Sequence, residues 1–384
     1  MSELYELPEG WEWKKLKDIF KMKSGDFLPK KKMIEGGKYN VYGGNGVNGN
    51  YNDFNLSGEN IIIGRVGALC GNVRLVDGSI WITDNAFYIS EYLINIDKTY
   101  LAIFLSYINL GKTANQAAQP VISNKGISSL NIPLPPLQEQ KRIVAKLDTL
   151  FEKIDKAIAL HKKNMDEADV FMGSVLNDVF GELGEKYQKD SLDNLTKLIT
   201  KGTTPTTNGY KFLDKGINFL KIENIVNGEI DLSTIEMFIS EEAHQSQKRS
   251  QLEVNDVLFS IAGTIGDTAI VKEEHLPMNT NQAVALIRPI DKLNPEFLRR
   301  LLSSSLSSQT TNKKRGGAIK NVSLGDIKNT IILLPPLNIQ QKIVSYLDSI
   351  SQKTEKLKAV QKKKMQSLIA LKASILDQAF RGEL

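Results

Sequence analysis

Two long stretches of the chain place apolar side chains at alternating steps of three and four residues. These positions are Ile143, Leu147, Leu150 and Ile154 in the first stretch and Ile343, Leu347, Ile350 and Leu357 in the second. Such spacing is typical of a coiled-coil seam, and these eight residues are predicted to form one. Without interior prolines, each stretch predicts a helix of about 45 residues, roughly 65 Å long. Because neither helix could bury its stripe alone, the two are expected to pack together. They are expected to be antiparallel, since parallel helices would place both globular segments at the same end.

The two stretches are copies of one element. Pro135-Pro136-Leu137 recurs as Pro335-Pro336-Leu337, and 17 of the 46 positions aligned from there to Phe180 and Phe380 are identical. Ordinary amino-acid usage would give about three identities by chance. A proline pair suits the first turn of a helix, because the N–H groups of that turn have no helical partner. The repeat therefore predicts a duplicated spacer helix.

The segment before each helix is typical of a small domain built around a sheet. Short β-branched runs are broken by Gly, Asn and Asp, and the runs at 61–67 and 83–86 resemble those at 257–263 and 280–283. The predicted organisation is a domain at 1–134, a central spacer helix at 135–183, a second domain at 184–334 and a C-terminal spacer helix at 335–384. The fold class is then α+β: two similar α/β domains separated by two long antiparallel coiled-coil helices, with pseudo-two-fold symmetry and adjacent termini.

Composition narrows the class of protein. The chain has 384 residues, of which 41% are hydrophobic and 24% charged, as expected for two domains with ordinary cores. No apolar run approaches the ~18–20 residues of a membrane helix, and the N-terminus lacks the pattern of a secretory signal. The single cysteine, Cys70, excludes an internal disulfide. A cytoplasmic location without membrane contact is therefore expected.

The residues that catalysis or metal binding would need are missing from the sequence. No Gly-x-x-x-x-Gly-Lys-Ser/Thr loop occurs, and the glycine-rich string at 44–49 is not followed by a helix pattern. Cys70 and the three histidines, His161, His244 and His275, are not at metal-ligand spacing. We therefore expect no catalytic residue, no metal site and no cofactor bound by this chain.

Several motifs resemble the specificity subunits of type I restriction–modification systems. They are Leu-Pro-Pro-Leu-Gln-Glu-Gln-Lys-Arg-Ile-Val at 134–144 with its repeat at 334–344, Leu-Pro-Glu-Gly-Trp at 7–11, and the segments 41–46, 58–72 and 320–323. The resemblance implies two target-recognition domains, each reading one half of a split, asymmetric site in double-stranded DNA. It also implies that the spacer helices set the gap between the halves and bind two modification subunits.

The same resemblance assigns the chemistry to partner subunits. The modification subunits would carry the adenine methyltransferase and use S-adenosylmethionine. Two restriction subunits would supply ATP-driven translocation and cleavage with Mg. This chain would be a non-catalytic specificity subunit.

Charge limits how the domains could hold DNA. The chain has 49 basic and 44 acidic residues, a net charge of +5, and the two signs nearly balance within each domain. DNA binding would therefore need local clusters and contacts to base edges. The candidates are Lys30, Lys31, Lys32, Asn45, Arg65, Gln116, Gln119, Asn124 and Lys125 in the first domain and Lys201, Thr203, Lys313, Lys314, Arg315, Lys320 and Asn321 in the second. For each of them the alternative is a solvated surface residue.

Two other classes of function stay open at this point. One is a coiled-coil scaffold that binds only proteins, and the other is a self-contained nuclease or methyltransferase. Sequence-selective binding of DNA that weakens with salt would exclude the scaffold. Activity of the purified chain alone would favour the enzyme.

Overall fold

The computed structural model describes residues 5–115, 119–184, 186–303 and 322–384. The chain divides into two compact units. Unit 1 contains Met1–Lys162 and Lys362–Leu384, and unit 2 contains Lys163–Gln361. Each unit therefore combines a globular part with portions of both long helices.

Unit 1 is built on a four-stranded antiparallel sheet. The strands of the whole unit are β1 (Glu12–Lys15), β2 (Phe20–Ser24), β3 (Tyr39–Gly43), β4 (Gly46–Tyr51), β5 (Asn60–Gly64), β6 (Val73–Val76), β7 (Trp81–Ile82), β8 (Ala86–Tyr92) and β9 (Asn131–Leu134). The short helices α1 (Lys98–Tyr107) and α2 (Asn124–Ser128) precede the long helix α3 (Leu137–Gly184). The main sheet has the order β2-β8-β5-β6, a second has β4-β3-β7 with β3 and β7 parallel, and β1 pairs with β9.

Unit 2 repeats this topology. Its strands are β10 (Lys189–Ser191), β11 (Thr196–Lys201), β12 (Ile217–Leu220), β13 (Ile225–Val226), β14 (Glu229–Ile230), β15 (Phe238–Ile239), β16 (Val257–Ser260), β17 (Thr268–Ile270), β18 (Met278–Thr280), β19 (Val284–Pro289) and β20 (Ile331–Leu333). The helices are α4 (Glu241–Ser246), α5 at 295–303, α6 (Leu324–Lys328) and the long α7 (Leu337–Arg381). The sheets β11-β19-β16-β17, β15-β12-β18 and β10-β20 match those of unit 1 strand for strand, and among the described residues unit 2 has in addition the two-stranded sheet β13-β14. This match confirms the duplicated α/β domains.

The core of unit 1 extends from the sheet onto the long helices. Helix α1 begins at the cap residue Asp97, whose Oδ1 accepts a 2.9 Å hydrogen bond from the Tyr100 N–H. Tyr100 and Leu101 are buried in one cluster with Ile63 of the sheet, Leu147 of α3 and Phe380 of α7. Burial of this continuous apolar surface stabilises the domain and the adjoining helix segments together.

The two long helices run antiparallel within each unit. In unit 1, Arg142 of α3 contacts the main-chain oxygen of Leu384 at 2.7 Å, and Asp155 contacts Lys372 at 2.9 Å. In unit 2, Asp169 contacts Lys358 at 2.9 Å. Residue numbers therefore rise along α3 as they fall along α7, which confirms the predicted direction. Despite this length, none of the described helices is apolar enough to cross a membrane.

Seven of the eight predicted seam residues are buried or half-buried and one is exposed, and their contacts across the two helices stay a prediction. Ile143, Leu147, Ile154 and Leu347 are buried, whereas Leu150, Ile343 and Ile350 are half-buried. Leu357 is 47% exposed, so its placement in the seam is wrong. The buried residues on either side of it are polar, Thr354 and Gln361. Steps of seven from Leu347 reach both of these residues, so the stripe continues through polar side chains while Leu357 lies on the neighbouring face.

The first described residue, Tyr5, lies against the C-terminal end of α7 in unit 1. The Tyr5 hydroxyl donates a 2.6 Å hydrogen bond to the Phe380 carbonyl, and the Arg381 guanidinium lies 4.8 Å from the centre of the Tyr5 ring. Burial raises the pKa of Tyr5 to about 12, so this hydroxyl stays protonated as a donor. The predicted adjacency of the termini is confirmed.

Candidate DNA interface

Several loops of unit 1 converge at one end of its main sheet. Strands β2 and β5 end there, and β8 begins there. The Gly25 N–H donates to the Ala86 carbonyl at 3.2 Å, the Arg65 N–H to the Asn85 carbonyl at 2.9 Å, and the Ile122 N–H to the Arg65 carbonyl at 2.9 Å. We call the segments joined by these bonds, 25–26, 64–72, 83–86 and 119–123, the loop edge of unit 1.

Unit 2 forms the same edge with three equivalent bonds. The Gly202 N–H donates to the Val284 carbonyl at 3.4 Å, the Ile261 N–H to the Ala283 carbonyl at 2.9 Å, and the Val322 N–H to the Ile261 carbonyl at 2.9 Å. The segments 202–204, 260–267, 281–284 and residue 322 are the loop edge of unit 2. Arg65 and Ile261 therefore occupy corresponding positions.

The strand registers correct one detail of the predicted repeat. Gly64 pairs with Ala86, and Ser260 pairs with Val284. Ala86 thus corresponds to Val284, not to Ala283 as the likeness of 83–86 to 280–283 suggested. The likeness of the two runs is therefore out of register by one residue. Both runs have polar residues followed by an alanine, so their sequences match best when the two alanines are aligned.

Arg65 places an ordered cation on the loop edge of unit 1. Its guanidinium carbon lies 5.3 Å from the centre of the Phe87 ring, and its Nη1 donates to the Asp84 carbonyl at 3.3 Å. Its buried Nε has no hydrogen-bond partner among the described residues. Guanidinium groups commonly read guanine through O6 and N7, so this residue could contact a base. The corresponding Ile261 of unit 2 is 5% exposed and offers no such group.

The turn between β3 and β4 brings Asn45 to the same edge. A Cβ atom added to Gly44 would lie 2.2 Å from the Val66 carbonyl oxygen, so only glycine permits this approach. The Asn45 carbonyl accepts a 3.4 Å hydrogen bond from Nη2 of Arg74. Arg74 was not among the predicted residues, although its alternation with Val73 and Leu75 along β6 indicates that it faces away from them.

The other candidates of the first domain are placed less closely. Lys30, Lys31 and Lys32 form an exposed turn, and the neighbouring Ile34 N–H donates to the Asn50 carbonyl of β4 at 2.8 Å. Gln119 and Lys125 are exposed. Asn124 donates through Nδ2 to the Met22 carbonyl at 3.1 Å, which ties it to β2. Gln116 lies outside the described residues.

In unit 2 the structure places two of the predicted residues at the edge. Lys201 is the exposed last residue of β11, and the half-buried Thr203 follows Gly202. A Cβ atom on Gly202 would lie 1.8 Å from the Thr280 carbonyl oxygen, so the chain passes very close to β18 here. Lys313, Lys314, Arg315, Lys320 and Asn321 lie outside the described residues. DNA contact by any of these residues stays a prediction.

Comparison with known proteins decides the family. The profile of the type I restriction modification DNA specificity domain matches the chain twice, at residues 8–165 and 184–365. The chain belongs to this DNA specificity family. Both matches cover a globular domain and the first part of the long helix that follows it. The chain therefore has the duplicated organisation that the repeat predicted.

Two family members from Escherichia coli show how far the likeness extends. The chain is 31% identical over 307 residues to the EcoBI specificity subunit, a match covering 73% of this chain and 64% of that relative. It is 26% identical over 277 residues to the EcoKI specificity subunit of strain K12, covering 66% of this chain and 58% of the relative. The matches thus span about three fifths of the length of these two specificity subunits.

Solved structures support the specificity-family fold. A chain from a structural study of complex assembly and conformational transition in a type I restriction–modification system aligns with a TM-score of 0.77 and 23% identity, covering 99% of this chain and 100% of the other. The HsdS subunit from Thermoanaerobacter tengcongensis aligns with a TM-score of 0.57 and 23% identity, covering 100% and 99%. At this identity the likeness concerns the fold alone.

Proposed function

We propose that this chain gives a type I restriction–modification complex its DNA sequence specificity. Each unit would read one half of a bipartite, asymmetric site in double-stranded DNA through its loop edge. The pair of loop edges carries this proposal. Each edge is built with the same three main-chain hydrogen bonds, but the side chains differ: Arg65 lies at the edge of unit 1, and the corresponding Ile261 of unit 2 is buried. Two similar frames with different edges suit the reading of two different short sequences.

The long helices would set the gap between the half-sites and dock two modification subunits. The antiparallel pairing of α3 with α7 in each unit supports this role, because paired helices resist bending better than a single one. The partners would carry the adenine methyltransferase and use S-adenosylmethionine, and two restriction subunits would use ATP and Mg. The chain itself would bind no cofactor and catalyse no reaction. The names of its relatives, all specificity subunits, support this division of labour.

The direct test is methylation by the assembled complex. The complex of this chain with the modification subunits of its own genome is expected to methylate adenines in one split motif. Its binding to DNA should weaken steeply as the salt concentration rises. Methylation by the purified chain alone would show a self-contained enzyme. Assembly with partners but without sequence-selective DNA binding at low salt would show a protein scaffold.

A second test addresses the gap. Four residues inserted into α3 lengthen it by about 6 Å and should change the gap or abolish recognition. Four residues inserted at the exposed turn of Gly78 serve as the control, because a Cβ built on that glycine would meet no non-neighbouring atom within 4 Å. An unchanged split motif after the helix insertion would contradict the proposed role of the helices.

A further inference from the structure

Each long helix has a buried glutamine in its first turn. Gln140 of α3 is 2% exposed and Gln340 of α7 is 0% exposed. Both occupy the fourth position of their helix, five residues after the first proline of the repeat. Buried amide side chains are uncommon and need hydrogen-bond partners. Their contacts show what the two residues hold.

In unit 1, Gln140 connects the long helix to the globular domain. Its Oε1 accepts a 2.8 Å hydrogen bond from the Asp97 N–H, and its Nε2 donates to the Pro135 carbonyl at 2.9 Å. Asp97 is the cap residue of α1. One amide group therefore links the start of α1, the junction before α3 and α3 itself.

In unit 2, Gln340 makes the same bridge. Its Oε1 accepts from the Asn294 N–H at 2.7 Å, and its Nε2 donates to the carbonyls of Lys292 at 2.9 Å and Pro335 at 2.7 Å. Asn294 caps α5, since its Oδ1 accepts from the Phe297 N–H at 3.0 Å. The bridge is thus kept in both copies although the capping residue differs.

In unit 1 the bridge differs in kind from the contacts around it. The globular part packs on α3 nearby through apolar residues such as Ile143 and Leu147, whereas in unit 2 the Arg300 guanidinium also pairs with Asp348 of α7. Apolar packing has no directional preference, whereas a hydrogen bond requires a defined distance and angle. A planar amide that accepts at one atom and donates at the other therefore restricts rotation of the domain about the start of its helix.

We propose that Gln140 and Gln340 are positioning residues that fix the angle between each globular domain and its own long helix. Through this angle they restrict DNA recognition to one gap length. The second part of this inference rests on the proposed function, and the first part does not.

The angle is tested on the isolated chain by distances between spin labels. In a Cys70→Ser background, labels at the exposed Lys21 of β2 and the exposed Lys153 of α3 report on unit 1 alone. Gln140→Met, which keeps the size but loses both bonds, should broaden the distance distribution. The control Gln138→Met changes an exposed glutamine two residues away and should leave it unchanged. An unbroadened distribution for folded Gln140→Met would overturn the positioning role.

The consequence is tested with the methylating complex and DNA sites whose gap varies by single base pairs. Gln140→Met and Gln340→Met should each lower the preference for the cognate gap by roughly tenfold, the effect of losing one or two buried hydrogen bonds. Gln138→Met and Gln341→Met, both at exposed positions, should not change it. If either glutamine variant assembles into the complex, loses thermal stability and keeps the preference for the cognate gap, its glutamine has a merely structural role. Failure of the wild-type complex to methylate a split motif would contradict the proposed function. The spin-label distances would still test whether Gln140 fixes the angle between domain and helix.

Discussion

The two units have the same strand order, but different loops pack at their loop edges. In unit 1, β5 ends at Gly64, where an added Cβ would lie 2.1 Å from the Gly44 carbonyl oxygen. In unit 2 the corresponding residue is Ser260, whose Oγ accepts a 2.8 Å hydrogen bond from the Asp267 N–H. The missing side chain lets the β3–β4 turn approach in unit 1, while the serine closes its own loop in unit 2. One side chain thus decides which neighbour reaches the edge.

The bases of the long helices differ in the same way. In unit 1, Glu139 pairs with Arg142 at 2.7 Å, and the hydrogen bond from Arg142 lowers the pKa of this carboxyl. In unit 2 the position of Glu139 is held by Ile339, which lines an open groove of about 290 Å³ together with Ile343 and Tyr346. The duplicated helices therefore differ at this position: unit 1 has a charged pair, whereas unit 2 has an isoleucine in a groove lined by apolar and charged side chains.

The largest expected effect concerns a buried ion pair present in unit 2. Asp256 is 0% exposed and accepts bonds from Arg288 Nε at 2.8 Å and Nη2 at 2.9 Å. The strand registers place Asn60 and Ser90 at the corresponding positions of unit 1. Arg288→Met should lower the free energy of unfolding by about 3–5 kcal/mol, because it leaves a buried carboxylate unpaired.

Urea-induced unfolding, monitored by hydrogen exchange of the amides in β16 and β19, measures this loss of free energy. Ser90→Ala is the matched control in unit 1 and should cost less than about 1 kcal/mol. Equal losses in the two variants would contradict the assignment of the difference to the ion pair.

Exchanging the residues at the end of β5 and β16 should give unequal results. Gly64→Ser should cost about 3 kcal/mol, because its Cβ would overlap the Gly44 carbonyl oxygen and force the β3–β4 turn away. Ser260→Gly should cost about 1–2 kcal/mol through its lost hydrogen bonds. Thermal unfolding of both variants measures the difference. A harmless Gly64→Ser would show that the turn does not need this approach.

The half-buried Arg65 of unit 1 should matter for one half-site only. Arg65→Gln should reduce methylation at the cognate site by about tenfold to a hundredfold, the usual value of one bidentate contact to guanine. It should also relax the sequence of one half of the motif. Ile261→Val, at the corresponding position of unit 2, should leave the motif unchanged. Methylome mapping of the two variant complexes checks both expectations. An unaltered motif with Arg65→Gln would show that Arg65 does not take part in sequence recognition.

Acidification should affect unit 2 more than unit 1. Burial holds the pKa of His244 and of His275 below the usual range for histidine, although Glu274 lies 3.8 Å from His275. The unfolded chain then binds protons more readily, so stability is full above pH ~6.5 and decreases as the pH falls below that value. Hydrogen exchange of the two units between pH 7.5 and 5.5 measures this. A double variant, His244→Asn with His275→Asn, should show a flatter profile, and an equally steep one would exclude these histidines.

The parts of the fold that depend on local spacing could be predicted from the sequence. The Pro-Pro repeat and the three-four stripes gave both helices, their direction and the duplicated domains. Leu357 was misplaced because the seam passes through Thr354 and Gln361, and an apolar residue nearby resembled its continuation. The pairing of Asp256 with Arg288 could not be predicted, because it depends on strand register across 32 residues. The alternation of Arg74 with Val73 and Leu75 indicated which face of β6 it occupies, but not its hydrogen bond to Asn45, which depends on the fold of the β3–β4 turn.

The most direct test of the account is exchange of one recognition domain. Residues 1–134 are replaced by the corresponding domain of another family member, and the methylated adenines of the resulting complex are mapped. We predict that one half of the split motif changes, while the other half and the gap stay as they were. A motif changed in both halves, or in neither, would contradict the assignment of one half-site to each unit.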